Sequence, residues 1–262
     1  MAASAFATAI SAAALAANPA PSARGGVVSL NLCPDELVLL VARPEQLRSV
    51  SYLSRLPEES ALWRAARAYR GNDGSMLAAA AVRPALVVTM GAAGRDQQRL
   101  ATAIGARLLV LPYPASLADV AASVRAVGRA TGNAARAERV AAAMRAVVAS
   151  RPPRARDATW IDGAGRTLSP HGLGASWLRL AGLRQVAVPG DRLTLERLMT
   201  RPPTLIVQSR YRARQMSSAT AWLRHPAARV RARTLVTDGR RWTCAGPSLL
   251  PEILRLRGEV RR

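Results

Sequence analysis

The feature that most constrains this chain is a pattern that occurs twice, once on each side of an Ala-rich helical stretch. AAAAVRPALVVT (78–89) and LERLMTRPPTLIVQ (195–208) both read as the end of a helix, an Arg-Pro turn and a short apolar strand. Proline stops the helix, and the β-branched run after it fits a parallel strand covered on both faces. Between them, GNAARAERVAAAMRAVVASRPP (132–153) reads as one helix with a Gly-Asn start and a Pro-Pro stop. Asn133 is placed to cap it, and Val140, Met144, Val147 and Val148 form one apolar stripe at helical spacing. Such a helix runs roughly 24 Å, enough to bridge two lobes side by side. The fold class this predicts is α/β: two Rossmann-like lobes joined by one long helix, with a ligand cleft between them.

The remaining segments fill in both halves. GGVVSLNL (25–32) is expected to be a strand, followed by a helix with Pro34 at its first position and Asp35 and Glu36 in its first turn. Cys33 then stands at a strand's carboxyl end, where open α/β sheets bind ligands. LRSVSYL (47–53) and ARLLVLPYP (106–114) read as further strands, and SLADVAASVRAVGRATG as a helix capped by Ser116. In the second half, strands are expected at ATWID and RTLVTD, helices at ASWLRLAG and SATAWLRHPAARV, and a loop at RRWTCAG leading into the last helix. The expected boundaries are a leader over 1–23, a first lobe over 24–131, the linking helix over 132–153 and a second lobe over 154–262.

Charge and composition narrow the function. The chain has 38 basic and 16 acidic residues, a formal +22, and every basic residue counted there is arginine. The arginines are spread through helices and turns rather than gathered in patches, so no specific nucleic-acid partner is expected, although the field attracts anions. Met1 to about Ala23 is apolar and Ala-rich with small-x-small sites, which resembles a secretory leader. No later stretch has the length of a membrane span. The mature chain is expected to be soluble, monomeric and periplasmic. There is no Gly-x-Ser-x-Gly, no phosphate-binding loop and no His pair at metal spacing, so no enzyme and no resident cofactor is expected.

VVSLNLCPDELVLL, SVSYLS, VRPALVV and RWTCAGPSLL, in this order around a central helix, resemble the substrate-binding proteins of ABC importers for iron complexes and vitamin B12, the helical-backbone class III metal-chelate binders. The resemblance spans roughly 26 to 258. It implies two Rossmann-like lobes on a rigid helix, a metal chelate (cobalamin, haem or ferric siderophore) as transported ligand, and an inner-membrane ABC permease as partner. It also implies a docking glutamate on each lobe. Glu196 stands at that position in the second, whereas the first has apolar Leu77 and Ala78. The family's Pro-Asp-Leu-Val is here Pro84-Ala85-Leu86-Val87.

The candidate ligand-binding residues are Cys33, Tyr52, Met90, His171, Arg210, Tyr211, Trp242 and Cys244, with no resident metal. For the two cysteines three readings are open: a disulfide across the cleft, two small cleft-lining side chains, or direct metal ligands. Tyr52 and Tyr211 follow strands in the two lobes and suit a flat aromatic ligand or a ferric haem. His171, in a Gly-rich turn, can ligate iron or cobalt, while His225 is read as a helix-end residue. Arg210 and Arg212 suit carboxylates. Trp242 is expected either to face the cleft or to pack in the core, with Trp160 a second indole reporter. Two further readings stay open: a binding or sensor protein of the same fold uncoupled from transport, and a metal-cluster or metal-chaperone protein using the cysteines.

Overall fold

A computed structural model describes residues 25–91, 93–211 and 232–261. The leader, Arg212, His225 and the expected helix around 218–230 lie outside the described residues. In the first half the elements are β1 (Val27–Ser29), α1 (Leu32–Val41), β2 (Leu47–Ser51), α2 (Trp63–Ala66), β3 (Arg70–Asn72), α3 (Met76–Ala80), β4 (Leu86–Met90), α4 (Arg95–Ala103) and β5 (Arg107–Leu111). Two helices follow, α5 (Leu117–Thr131) and α6 (Ala134–Ala149). The second half contains β6 (Arg156–Ile161), α7 (Leu173–Leu180), β7 (Leu183–Gln185), α8 (Leu195–Thr200), β8 (Leu205–Arg210), β9 (Arg233–Asp238), α9 (Gly239–Cys244) and α10 (Leu250–Arg261).

The strands form two separate sheets, ordered β3-β2-β1-β4-β5 and β7-β6-β8-β9. Every pairing is parallel. This is why the central strands read as apolar runs without alternation: Val27, Val28, Val87, Val88 and Val207 are fully buried beneath helices. In each sheet the chain winds one way and then the other, so β1/β4 and β6/β8 are switch points whose carboxyl ends open a crevice. The three-residue edge strands β3 and β7 carry Arg and Gln and were not expected from sequence.

The helix between the lobes is α6, and α5 packs antiparallel against it. Both feed the two cores. Ala137 of α6 and Val124 and Val127 of α5 join the first-lobe core, while Met144 and Val147 of α6 and Val120 of α5 join the second. Close approach is permitted by Gly128, where a Cβ would lie 2.3 Å from that of Ala137. The expected stripe is displaced by part of a turn: Ala137, Ala141, Met144 and Val147 are buried, with Val140 and Val148 at its margins.

Two details of the expected helix starts are corrected. Asn133 occupies the cap position, but its side chain makes no capping bond. It is buried, and its amide donates instead to Gln46 Oε1 at 2.6 Å and Thr131 Oγ1 at 3.0 Å, pinning the α5–α6 turn to the loop before β2. Pro34 is the third residue of α1, because the helix begins at Leu32. Ser116 caps α5 as expected, in a reciprocal box with Asp119. No helix among the described residues is long and apolar enough to cross a membrane.

Candidate binding cleft between the lobes

Cys33, in the first turn of α1, and Cys244, at the end of α9, are joined in a disulfide with Cα atoms 5.2 Å apart. Of the three readings open in sequence, this is the one the structure has. Neither sulfur is available to a metal in this state, and no group of three or more His, Cys, Asp or Glu among the described residues is placed to hold an ion. Beside the disulfide lies a cavity of about 10 Å³, room for roughly one water, lined by Cys33, Glu36, Met90, Pro114, Cys244 and Gly246. That is below the roughly 300–1,000 Å³ of ordinary ligand pockets.

The two acids expected in the first turn of α1 are buried. Asp35 faces into the first lobe, where its Oδ2 accepts from Ser51 N (3.0 Å), Ser51 Oγ (2.6 Å) and Ser54 Oγ (2.6 Å), fixing the turn after β2. Glu36 reaches the other lobe and accepts from Ser248 N at 2.7 Å. Gly246 lies so close that a Cβ there would be 2.3 Å from Glu36 Oε1. Burial pushes Asp35 up to about 7 against the opposing hydrogen bonds from serines. Burial likewise pushes Glu36 up to about 7, opposed by the Ser248 bonds and the charge of Arg241.

Two more contacts join the loop after β2 to the second lobe. Tyr211 donates from its hydroxyl to Glu59 Oε2 at 2.8 Å. Arg240, held by Asp238, donates from Nη1 to Pro57 O at 2.6 Å. The Tyr211 phenol is therefore engaged between lobes, and Arg240, a contact sequence reasoning missed, lies beside it.

The other nominated residues divide. Tyr52, in the turn after β2, is 52% exposed. Met90 ends β4 and borders the interlobe space, its backbone N and O bonded to the Asn31 side chain. Arg210 ends β8 and His171 follows β6, and both are exposed. Trp242 does not face the cleft. It is buried in the second-lobe core, 5.6 Å from Trp160, and its indole N–H donates to Thr237 Oγ1 at 2.8 Å. The large ring is best covered there once its one polar atom has a partner. Glu196 is exposed in the first turn of α8, and Leu77, at the matching place in the first lobe, is 82% exposed.

The residue overlooked is Tyr113. It follows β5, 74% exposed, with its hydroxyl 2.8 Å from where Gly91 would carry a Cβ. Gly91, at φ +103°, leaves room for the ring at the end of β4. Sequence reasoning placed Tyr113 inside the strand, whereas β5 ends at Leu111.

The described residues define an α/β protein of two lobes, with one parallel sheet per lobe. Solved structures of that fold resemble it over nearly its whole length. The apo periplasmic haem-binding protein RhuT of Roseiflexus sp. RS-1 is 19% identical with a TM-score of 0.69, covering 89% of this chain and 96% of that one. HutB of Vibrio cholerae, a periplasmic haem-binding protein, is 15% identical with a TM-score of 0.71, covering 91% and 100%. Helicobacter pylori CeuE, solved with Ni(II) bound, is 14% identical with a TM-score of 0.65, covering 91% and 84%. No family model and no curated protein matches the sequence.

Proposed function

We propose that the chain is an exported, non-enzymatic solute-binding protein that captures a metal chelate between its lobes and presents it to an ABC permease. The observation that carries the reading is the convergence of both sheets' switch points on one cleft, with the exposed phenols of Tyr52 and Tyr113 on the first lobe's side of it. Haem is the chelate we favour. A phenol oxygen is a ferric-haem ligand, exposed rings suit a flat macrocycle, and Arg210 can pair a propionate. Four residues then share the work: Tyr113 supplies oxygen toward the metal, Tyr52 an aromatic wall, Arg210 the charge partner and His171 a second-lobe donor.

Glu196 is proposed to meet the permease. Leu77, exposed where the resemblance expects a second acid, favours a second reading in which this fold binds or senses its ligand without transport.

Titration of the oxidised protein with haemin, cobalamin and a ferric hydroxamate, followed by tryptophan fluorescence and visible absorbance, tests the proposal. Saturable one-to-one binding of haemin, weakened about tenfold or more in Tyr113→Phe, is expected. No saturable response to any of the three would refute it.

A further inference from the structure

Four contacts close one half of the cleft: the Cys33–Cys244 disulfide, Glu36 to Ser248, Tyr211 to Glu59, and Arg240 to Pro57. On the other half, no hydrogen bond or ion pair among the described residues crosses from Met90, Gly91 or Tyr113 to the second lobe. The lobes thus have two attachments, the α5–α6 pair on one side and a covalent bridge within the cleft between residues 211 positions apart in sequence. With the bridge intact, the cavity directly beside it, about 10 Å³, holds no more than roughly one water, so cargo is confined to the open half at Met90, Gly91 and Tyr113. Both cysteines are only half-buried. An exported chain meets the conditions in which such bonds form.

We propose that Cys33–Cys244 is a thiol–disulfide exchange site that clasps the cleft, and that a dithiol reductant acting there sets how far the lobes open. A thiolate of the dithiol attacks Cys244 Sγ. The S–S bond breaks with its electron pair on Cys33 Sγ, in the first turn of α1, where the helix dipole favours the departing thiolate. The second sulfur of the dithiol then displaces Cys244. The protein gains two electrons and two protons, the dithiol leaves as a disulfide, and among the described residues the hydrogen bonds Glu36–Ser248, Tyr211–Glu59 and Arg240–Pro57 remain to hold this half shut. Cargo too deep for the clasped cleft is admitted or released in the reduced state.

The test uses the ligand-free full chain, so its failure is separable from failure of the chelate-binding reading. Oxidised protein, protein reduced with dithiothreitol, and the Cys33→Ser/Cys244→Ser double variant are compared by small-angle scattering and by amide exchange. Reduction and the double variant are both expected to enlarge the radius of gyration. They should also speed exchange of the Ser248 amide about tenfold or more, while Val88 and Val207 in the sheets keep their protection. Unchanged scattering and Ser248 exchange would overturn the proposal. So would an equal acceleration at Ser248, Val88 and Val207, since the bond would then stabilise the whole fold rather than clasp the cleft. Should the double variant not fold, the reduced native chain decides between these results.

Discussion

Replacing Glu36 with Gln isolates one buried ionisation and its consequence for stability. Glu36 is 8% exposed and accepts the Ser248 amide across the cleft. Its pKa is raised from 4.5 to about 7, chiefly by burial. Between those values the folded chain holds a proton that the unfolded chain has lost. Stability from this group is therefore fully present below pH 4.5, falls through the window and is flat above about 7. One pKa unit corresponds to about 1.4 kcal/mol, so between pH 5 and 8 Glu36 accounts for a loss of roughly 2–3 kcal/mol. Asp35, raised from 3.8 to about 7, loses a similar amount over the same range. Glutamine keeps an oxygen for Ser248 but cannot ionise. Thermal melts of both oxidised proteins at pH 5, 6, 7 and 8 should show the wild type falling steeply. Glu36→Gln should fall about half as far, a difference of roughly 5–10 °C in Tm at pH 8 for a chain of this size. Parallel curves for the two proteins would show that Glu36 is not buried across the interface, and would refute the reasoning.

Three further outcomes follow from the packing. Gly128→Ala improves helix propensity by about 1 kcal/mol, yet places a Cβ 2.3 Å from that of Ala137, so a net loss of about 1–3 kcal/mol is expected in chemical denaturation, and a gain would contradict the close α5–α6 contact. Asn133→Ala removes the bonds to Gln46 and Thr131 and should cost about 1–3 kcal/mol, whereas a simple cap would be restored by Ser and this site would not. Gly246→Ala, at φ −92° and so without backbone strain, drives a methyl into Glu36. It should weaken protection of the Ser248 amide while leaving the Val88 amide unchanged.

Legibility in the sequence followed the physics of each signal. The Arg-Pro turns at Arg83-Pro84 and Arg201-Pro202 were readable because proline ends a helix and the β-branched run after it has only one comfortable environment. Edge strands β3 and β7 were not, since three residues with Arg, Gly or Gln carry no period. Asp35 and Glu36 looked like acids complementing a helix start, a surface habit that conceals their burial against Ser51 and Ser248. The Cys33–Cys244 pairing is a long-range fact that spacing cannot supply. Trp242 was assigned to the cleft from its nearness to Cys244, but over two residues of the short α9 side chains turn to different sides, and its ring went to the core. Tyr113 was hidden by a strand read three residues too far at its carboxyl end.

The central claim, that a chelate docks where both sheets' switch points meet, is tested most directly by mapping hydrogen exchange in the oxidised protein with and without excess haemin. Protection is expected at the ends of β4 and β5, around Met90, Gly91 and Tyr113, and in the second-lobe segment 162–172. No protection anywhere, or protection confined to the opposite, arginine-lined ends of β6 to β9 at Arg156, Arg184 and Arg233, would contradict the account.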